Sequence, residues 1–186
     1  MKIGVLDIQG SVDEHIISLK KLGVHVVRVK KPEDLEGLKG LIIPGGESTT
    51  IGKLLKRFGL GEEIAKKVQD GMAIWGTCAG AILLANQVIG GEVDGLNLID
   101  AKVQRNAYGR QIDSFETKIE FANTKIPAVF IRAPKILNVG DGVEILSKLD
   151  GEIVAAKKDK IVISTFHPEL TDSTVFHQWF LELCEQ

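Results

Sequence analysis

One cysteine in the sequence stands in a setting typical of a nucleophile. Cys78 is the centre of Gly76-Thr77-Cys78-Ala79-Gly80, which follows an apolar run ending at Trp75 and precedes small and apolar residues from Ala81 onward. This order predicts a strand, a sharp turn and a helix, which is the cysteine form of the nucleophile elbow. Glycines permit the close backbone contacts that such a turn requires. The positive end of the following helix would favour the thiolate form of Cys78, whereas a lone cysteine is otherwise more often a packed core residue.

A histidine and a carboxylate far downstream complete a candidate triad. His167 and Glu169 belong to Phe166-His167-Pro168-Glu169, which follows an apolar run over residues 161–163. Pro168 favours an extended backbone at His167, and residues i and i+2 of an extended segment face the same side. Glu169 is therefore expected to orient the imidazole that serves Cys78 as a base. Metal binding is a weaker interpretation because the metal-ligand spacings C-x-x-C and H-x-x-x-H are absent, and no metal or cofactor is predicted.

Two further stretches are candidates for substrate binding. The turn Pro44-Gly45-Gly46-Glu47-Ser48 follows the third predicted strand, at the edge that carries the ligand crevice in open parallel sheets. Backbone N–H groups of Gly45 and Gly46 could face a developing oxyanion, with Ala79 as the second donor; otherwise Ser48 only caps the next helix. The polar residues 105–111 form either a solvated loop or a binding loop in which Arg105 pairs with a carboxylate, and Arg132 has the same two interpretations.

The remaining sequence supplies strands and helices that can position these residues. In the first half, apolar runs alternate with helical patterns, which predicts a mostly parallel sheet covered by helices on both faces. Ser11-Val12-Asp13-Glu14 has the S-x-x-E pattern of a capping box for the first helix. Residues 101–164 contain short strand-like runs, with Asp150-Gly151 as a hairpin turn, and Thr171-Asp172-Ser173 is expected to cap a terminal helix. A single domain over residues 1–186 is expected.

Composition excludes several classes of function. The 186 residues carry a formal net charge of −2, which gives no electrostatic argument for binding nucleic acid. No apolar run approaches the length of a membrane span, and the N-terminus begins in a strand-like run that does not resemble a signal peptide. Neither nucleic acid nor a membrane is therefore an expected partner. Cys78 and Cys184 are not expected to form a disulfide, and a cytoplasmic location with reduced thiols is predicted.

Taken together, these motifs resemble those of a known enzyme family. The elbow and the His-Pro-Glu stretch are similar to those of the class I, or triad, glutamine amidotransferases. Three other stretches resemble more narrowly the glutaminase subunits of pyridoxal 5'-phosphate synthase; they are Pro44-Gly45-Gly46-Glu47-Ser48-Thr49-Thr50, residues 105–115 and Ile131-Arg132-Ala133-Pro134. The likeness covers nearly the whole chain, and Tyr108 stands where phenylalanine is more frequent. It implies a three-layer, flavodoxin-like α/β sandwich with a mostly parallel sheet and extra short strands in the second half.

The resemblance also implies a reaction and a binding site. L-glutamine would be hydrolysed to L-glutamate and ammonia through a thioester on Cys78, with His167 moving the proton and Glu169 orienting His167. The residues implied for glutamine binding are Gly46, Glu47, Ser48, Arg105, Ile131 and Arg132. Glu47 and Arg105 carry the charges that the ammonium and carboxylate groups of glutamine require. Ammonia would pass to a barrel-shaped pyridoxal 5'-phosphate synthase subunit in a hetero-oligomeric complex.

Partner control and three alternatives follow from these expectations. The Gly45-Gly46 turn is expected to be misoriented until the synthase docks near Gln9-Gly10, leaving the oxyanion hole incomplete. The first alternative is a glutaminase for another acceptor, such as imidazole glycerol phosphate synthase. The second is a cysteine hydrolase, peptidase or chaperone-like protein of the DJ-1 group, and the third is a non-catalytic subunit with a relic site. The stretch from residue 105 to 111 argues against the first, the His-Pro-Glu spacing against the second, and the complete triad against the third.

Overall fold

The computed structural model describes residues 1–106 and 114–186. Over these residues the chain forms five α-helices: α1 Val12–Lys21, α2 Ser48–Arg57, α3 Leu60–Gln69, α4 Ala79–Leu84 and α5 Val175–Glu185. The strands are β1 Lys2–Leu6, β2 His25–Val29, β3 Gly40–Ile43, β4 Ala73–Thr77, β5 Ala85–Ile89, β6 Ile99–Gln104, β7 Ser114–Phe121, β8 Thr124–Ile131, β9 Lys135–Val139, β10 Glu144–Leu149, β11 Glu152–Lys158 and β12 Ile161–Ser164. Short 3-10 turns occupy Pro32–Leu35 and Pro168–Leu170.

A mixed sheet runs through the described part of the chain. Its strand order is β2-β1-β3-β4-β12-β11-β9-β6-β5, and β10 also pairs with β11. In this order, neighbouring strands from β2 through β1, β3 and β4 to β12 are parallel, and β5 is parallel to β6. The pairs β12–β11, β11–β9 and β9–β6 are antiparallel. Strands β4 and β12 are parallel neighbours with Thr77 opposite Ser164, so their carboxyl ends meet at one edge of the sheet.

Two hydrophobic clusters cover the two faces of this sheet. Alternate residues of one strand belong to different clusters, as Leu41 and Ile43 do on one face and Ile42 on the other. Helices α2, α3 and α4 pack on the first face, and α1, α5 and the β7–β8 hairpin pack on the second. This three-layer arrangement confirms the predicted α/β fold with a helix-covered sheet and extra strands in the second half.

Several local predictions are confirmed, and others are wrong. Asp150 and Gly151 both have positive φ, 49° and 82°, in the turn that joins antiparallel strands β10 and β11. The capping box is wrong, because Ser11 precedes α1 but its side chain makes no cap hydrogen bond. Ser48 is not the cap of α2 either, since Glu47 takes that position. The terminal helix begins later than predicted, with Thr174 at its N-cap.

Two strands were not predicted from the sequence. Strand β5 begins at Ala85, directly after α4, so no turn residue separates the helix from the strand. Strand β9 is a five-residue segment whose place in the sheet depends on pairing with β6 and β11. Long-range pairing decides both elements, which local pattern does not report. None of the helices in the described segments is long and apolar enough to cross a membrane.

Candidate active site

Cys78 occupies the sharp turn between β4 and α4. Its backbone has φ 48° and ψ −101°, a conformation that costs free energy in any residue other than glycine. The flanking glycines are required by contact: a Cβ on Gly76 would lie 2.4 Å from the carbonyl group of Gly80, and a Cβ on Gly80 would lie 2.2 Å from the carbonyl oxygen of Ile43. The predicted strand, turn and helix are therefore present, with the thiol at the N-terminus of α4.

His167 and Glu169 meet beside this turn. The Nδ1 atom of His167 lies 2.7 Å from Oε1 of Glu169, and because a carboxylate only accepts, Nδ1–H is the donor. The backbone N–H of His167 donates to the carbonyl oxygen of Val129 at 2.7 Å. The extended segment expected from His167 to Glu169 is wrong, because His167 has φ −110° and ψ 86° and Pro168–Leu170 form a 3-10 turn. That turn, rather than strand alternation, folds the Glu169 carboxylate back under the imidazole.

Hydrogen bonding sets the charge state of the histidine and the carboxylate. Burial disfavours the imidazolium of His167, but its hydrogen bonds to Cys78 and Glu169 outweigh burial and raise its pKa to about 10. Burial likewise disfavours the carboxylate of Glu169, but His15, His167 and Ser11 outweigh it and lower its pKa to about 2. Near neutral pH the site therefore holds an imidazolium between the sulfur of Cys78 and a buried carboxylate.

A cleft of about 360 Å³ opens in front of Cys78. It is lined by every residue predicted for the oxyanion hole and for substrate binding, together with Cys78 and His167; they are Gly45, Gly46, Glu47, Ser48, Ala79, Arg105, Ile131 and Arg132. The backbone of Gly45 lies directly against the imidazole, since a Cβ there would be 2.3 Å from Cε1 of His167. Glu169 lies behind His167, with 5% of its surface exposed.

Glu47 and Arg105 place opposite charges at the cleft. Nη2 of Arg105 lies 3.3 Å from Oε1 of Glu47. The same carboxylate accepts hydrogen bonds from the backbone N–H groups and hydroxyls of Thr49 and Thr50. The hydroxyl of Thr49 is the leading cause that lowers the pKa of Glu47 to about 2. Burial is the next largest effect and opposes it, and the hydroxyl of Thr50 and the two N–H groups add to the lowering. Glu47 is therefore a fixed negative charge at the start of α2.

The opposite wall of the cleft is formed by the end of β8. The carbonyl oxygen of Ile131 lies 3.9 Å from the sulfur of Cys78, and Arg132 follows with φ 44°. The rest of the predicted binding loop, Tyr108, Gly109, Arg110 and Gln111 included, falls in residues 107–113 and so lies outside the described residues.

Two side chains that contact Glu169, those of Ser11 and His15, belong to no predicted site. Ser11 was assigned to a helix cap, yet its hydroxyl donates to Oε1 of Glu169 at 2.8 Å. Nε2 of His15 lies 3.5 Å from the same oxygen, and the side chains of His15 and Glu169 are fully buried. No sequence signal links Ser11 or His15 to a residue more than 150 positions away, because only the parallel pairing of the sheet brings them together.

Comparison with known proteins agrees with the fold and the motifs. The profile of the SNO glutamine amidotransferase family matches residues 5–186. The pyridoxal 5'-phosphate synthase subunit PdxT of Clostridium beijerinckii is 51% identical over 185 residues, covering 98% of this chain and 97% of that protein. The protein of the same name from Thermotoga neapolitana is 50% identical over 186 residues, covering 98% and 99%. A crystal structure described as a glutamine amidotransferase superposes with a TM-score of 0.95 at 47% identity, covering 99% of both chains.

Proposed function

The chain belongs to the SNO glutamine amidotransferase family and is a glutaminase, and from this premise we propose that Cys78, His167 and Glu169 carry out the hydrolysis. The observation that carries the proposal is the alignment of the three side chains. His167 holds Glu169 through Nδ1 at 2.7 Å, which leaves Nε2 as the nitrogen that serves the thiol of Cys78. The roles follow from this geometry.

In the first half-reaction the sulfur of Cys78 attacks the side-chain amide carbon of L-glutamine. His167 already carries its proton as the imidazolium, and negative charge develops on the amide oxygen. The N–H groups of Ala79 and of the Gly45-Gly46 turn are the proposed donors to that oxyanion. His167 then gives its proton to the departing nitrogen, the C–N bond breaks, and ammonia leaves a glutamyl thioester on Cys78.

In the second half-reaction water replaces ammonia. His167, now without its extra proton, takes a proton from the water while the water oxygen attacks the thioester carbon. The C–S bond breaks, L-glutamate is released, and the proton on His167 returns the site to its starting state. Glu169 stays ionised throughout, consistent with its low pKa, and compensates the imidazolium in each half-reaction.

The charged pair at the cleft is suited to the two ends of glutamine. We assign Arg105 to the α-carboxylate and Glu47 to the α-ammonium group, with Gly46, Ser48, Ile131 and Arg132 as further walls of the site. The two side chains lie 3.3 Å apart in this structure, so the substrate would exchange one ion pair for two. Discrimination between glutamine and asparagine would then depend on the distance from this pair to Cys78.

The ammonia product requires an acceptor, and the relatives indicate which one. The Clostridium and Thermotoga proteins are both named as subunits of pyridoxal 5'-phosphate synthase. We therefore propose that this chain supplies ammonia to the barrel-shaped synthase subunit of such a complex, in pyridoxal 5'-phosphate biosynthesis. We also propose that it acts as one domain in the cytoplasm, where glutamine and reduced thiols are available.

Partner control would act through the oxyanion turn. Oε1 of Gln9 accepts the backbone N–H of Glu47 at 2.8 Å, and the backbone N–H of Ser11 donates to the carbonyl oxygen of Gly45 at 3.0 Å. The Gln9-Gly10 loop thus contacts the turn that would hold the oxyanion. Docking of a synthase on this loop could rotate the Gly45-Gly46 peptide into a donating orientation.

The test is release of glutamate from L-glutamine by the purified chain, with and without the synthase subunit. Cys78→Ala should abolish release, and the matched control Cys184→Ala, at a buried thiol on α5, should leave it unchanged. Addition of the synthase should raise the rate. Activity that survives Cys78→Ala would overturn the triad, and equal rates with and without the synthase would overturn partner control alone.

A further inference from the structure

Among the described residues, the groups that hold the carboxylate of Glu169 all converge on one of its oxygens. Oε1 of Glu169 receives Nδ1–H of His167 at 2.7 Å and the hydroxyl of Ser11 at 2.8 Å, and Nε2 of His15 stands 3.5 Å away. Oε2 has no hydrogen-bond partner within residues 1–106 and 114–186. The orientation of the carboxylate therefore depends on the groups that converge on Oε1, since nothing described restrains Oε2.

His15 connects this oxygen to a second buried histidine. It lies on α1 with no exposed surface, and its Nδ1 is 3.0 Å from Nε2 of His177 on α5. Its Nε2 faces Oε1 of Glu169 at 3.5 Å and Oγ1 of Thr77 at 3.3 Å. Trp75 packs edge-on against both imidazoles at 5.4 and 5.0 Å between ring centroids, so neither ring can turn freely.

The positions of the protons in this chain follow from the contacts. If Nε2 of His15 carries the proton, it donates toward Glu169 and Thr77, while Nδ1 accepts from Nε2–H of His177. Nδ1 of His177, which has no partner among the described residues, is then an unused acceptor. The opposite tautomers would set a lone pair of His15 against a carboxylate and leave a buried N–H of His177 without an acceptor, and both are unfavourable.

Both histidines are suited to the neutral state that this arrangement needs. Burial is the leading effect on each and lowers the pKa of His15, and it lowers that of His177 to about 3. Glu169 and Glu14 favour a charge on His15, whereas His167 opposes one. A neutral His15 turns its Nε2–H toward Glu169, 3.5 Å away, and toward Thr77, its hydrogen-bond partner at 3.3 Å, without adding a second positive charge next to the His167 imidazolium.

We propose that His15 is a positioning residue for glutamine hydrolysis, holding Glu169 under His167 through a one-way chain of N–H donors that runs from His177 to His15 to Oε1. The inference rests on the proposed role of the triad. Glu169 can orient His167 only if Glu169 is itself prevented from rotating. His15 on α1 and Ser11, the residue before α1, provide this restraint.

Steady-state kinetics of the complex with the synthase test the role of His15. His15→Leu removes the donor at similar volume, and kcat should fall by about tenfold or more while KM for glutamine changes by less than about threefold. His15→Gln places an amide N–H near the position of Nε2 and should recover most of the lost kcat. Leu19→Val, on the buried face of the same helix, is the control for a packing defect and should keep kcat within about twofold. Equal kcat for His15→Leu and wild type overturns the proposal, as does a loss that His15→Gln does not recover.

Imidazole nitrogen NMR tests the proton arrangement without reference to turnover. At pH 7 both His15 and His177 should give the neutral pattern with the proton on Nε2. In the kinetic experiment, His177→Phe should lower kcat less than His15→Leu does. A proton on Nδ1 of either residue overturns the directed chain. Failure of the triad is separate, because it would appear as activity in Cys78→Ala whatever the His15 variants show.

Discussion

At the scale of single residues, the site depends on conformations and charge states that its neighbours impose. Cys78 adopts a positive φ because strand β4 must turn sharply into α4 with glycines packed on both sides. His167 is held as an imidazolium because a buried carboxylate and the Cys78 sulfur bind it. The positive φ of Cys78 is a local cost that the surrounding sheet and helices offset, whereas the charge on His167 is favoured by its two partners. Substitutions can measure both the backbone strain at Cys78 and the charge state of His167.

The backbone strain at Cys78 predicts an unusual order of stability. Cys78→Gly should be more stable than Cys78→Ala by about 1 kcal/mol, because glycine tolerates positive φ and alanine does not. At Cys184, in the regular helix α5, the order should reverse, with the glycine variant about 1 kcal/mol less stable than the alanine variant. Urea unfolding of the four variants measures both differences, and the same sign at the two positions would contradict the strain at Cys78.

The charge state of His167 can be followed directly by NMR titration. Its imidazole should titrate with a midpoint near pH 10, since hydrogen bonds to Cys78 and Glu169 outweigh the effect of burial on its pKa. Removing either partner removes a cause of the increase, so Cys78→Ala and Glu169→Gln should each move the midpoint down. Cys184→Ala should leave it in place. A wild-type midpoint near the ordinary value of 6.5 would show that the three groups do not interact in solution.

At the scale of elements, side chains at the starts of helices serve the cleft as well as the helices. Glu47 caps α2 through Thr49 and Thr50 and also meets Arg105 across the cleft. Ser11 precedes α1 but gives its hydroxyl to Glu169 rather than to the helix. Helices α1 and α5 approach β4 through His15, His177 and Trp75, so the elements that cover one face also surround the carboxylate of the candidate triad.

The cap on α2 predicts a small, pH-dependent loss of stability. Glu47→Ala should lower the free energy of unfolding by about 1 kcal/mol at pH 7, because Thr49 and Thr50 lose their acceptor. The pKa of Glu47 is lowered to about 2, so its contribution is complete above about pH 4.5 and is lost as pH falls toward 2. The difference between wild type and variant in urea unfolding should therefore narrow below pH 4. Glu62→Ala, an acidic residue in the first turn of α3 that is not its cap, should have less than about half this effect.

At the scale of the whole molecule, the buried ionisable groups limit stability from both sides of neutral pH. His15 and His177 are buried neutral, so the unfolded chain binds protons below about pH 6.5 that the folded chain does not. Glu169 adds a loss between about pH 4.5 and 2, where the unfolded carboxyl is protonated first. His167 acts in the opposite sense, since its raised pKa contributes stability that is complete below pH 6.5 and is lost as pH rises toward 10. Stability should therefore be greatest near neutral pH.

The share of His177 in the acid side of this profile can be measured separately. Between pH 6.5 and about 3, His177 should cost up to about 1.4 kcal/mol per pH unit, because the unfolded state takes up one more proton there. His177→Phe keeps an aromatic ring beside Trp75 and removes that proton, so the variant should gain stability relative to wild type as pH falls from 7 to 4. Urea unfolding at pH 7, 5.5 and 4 measures the trend, and parallel profiles for the two proteins would contradict it.

Much of the fold was readable from the sequence, for reasons that are local. Alternating strands and helices in the first half, the Gly-Thr-Cys-Ala-Gly elbow and the Asp150-Gly151 turn depend on glycine conformation and hydrophobic period, which neighbouring residues determine. The error at residues 167–169 was local too, because the 3-10 turn Pro168–Leu170 allows a hydrogen bond from His167 to Glu169, only two residues on, in place of an extended segment. Strands β5 and β9 escaped prediction because distant pairing creates them.

The kinds of group at the site follow from the sequence, whereas the way they are held follows from the tertiary structure. Residue types and spacing were enough to single out Cys78, His167 and Glu169, whose catalytic roles stay a prediction for the kinetics to test. Only the folded chain shows that Ser11 and His15 reach Glu169, or that Glu47 and Arg105 pair across the cleft. A motif records neighbours along the chain, whereas the orientation of a buried carboxylate depends on side chains from α1, α5 and β4 that meet only after the sheet has formed.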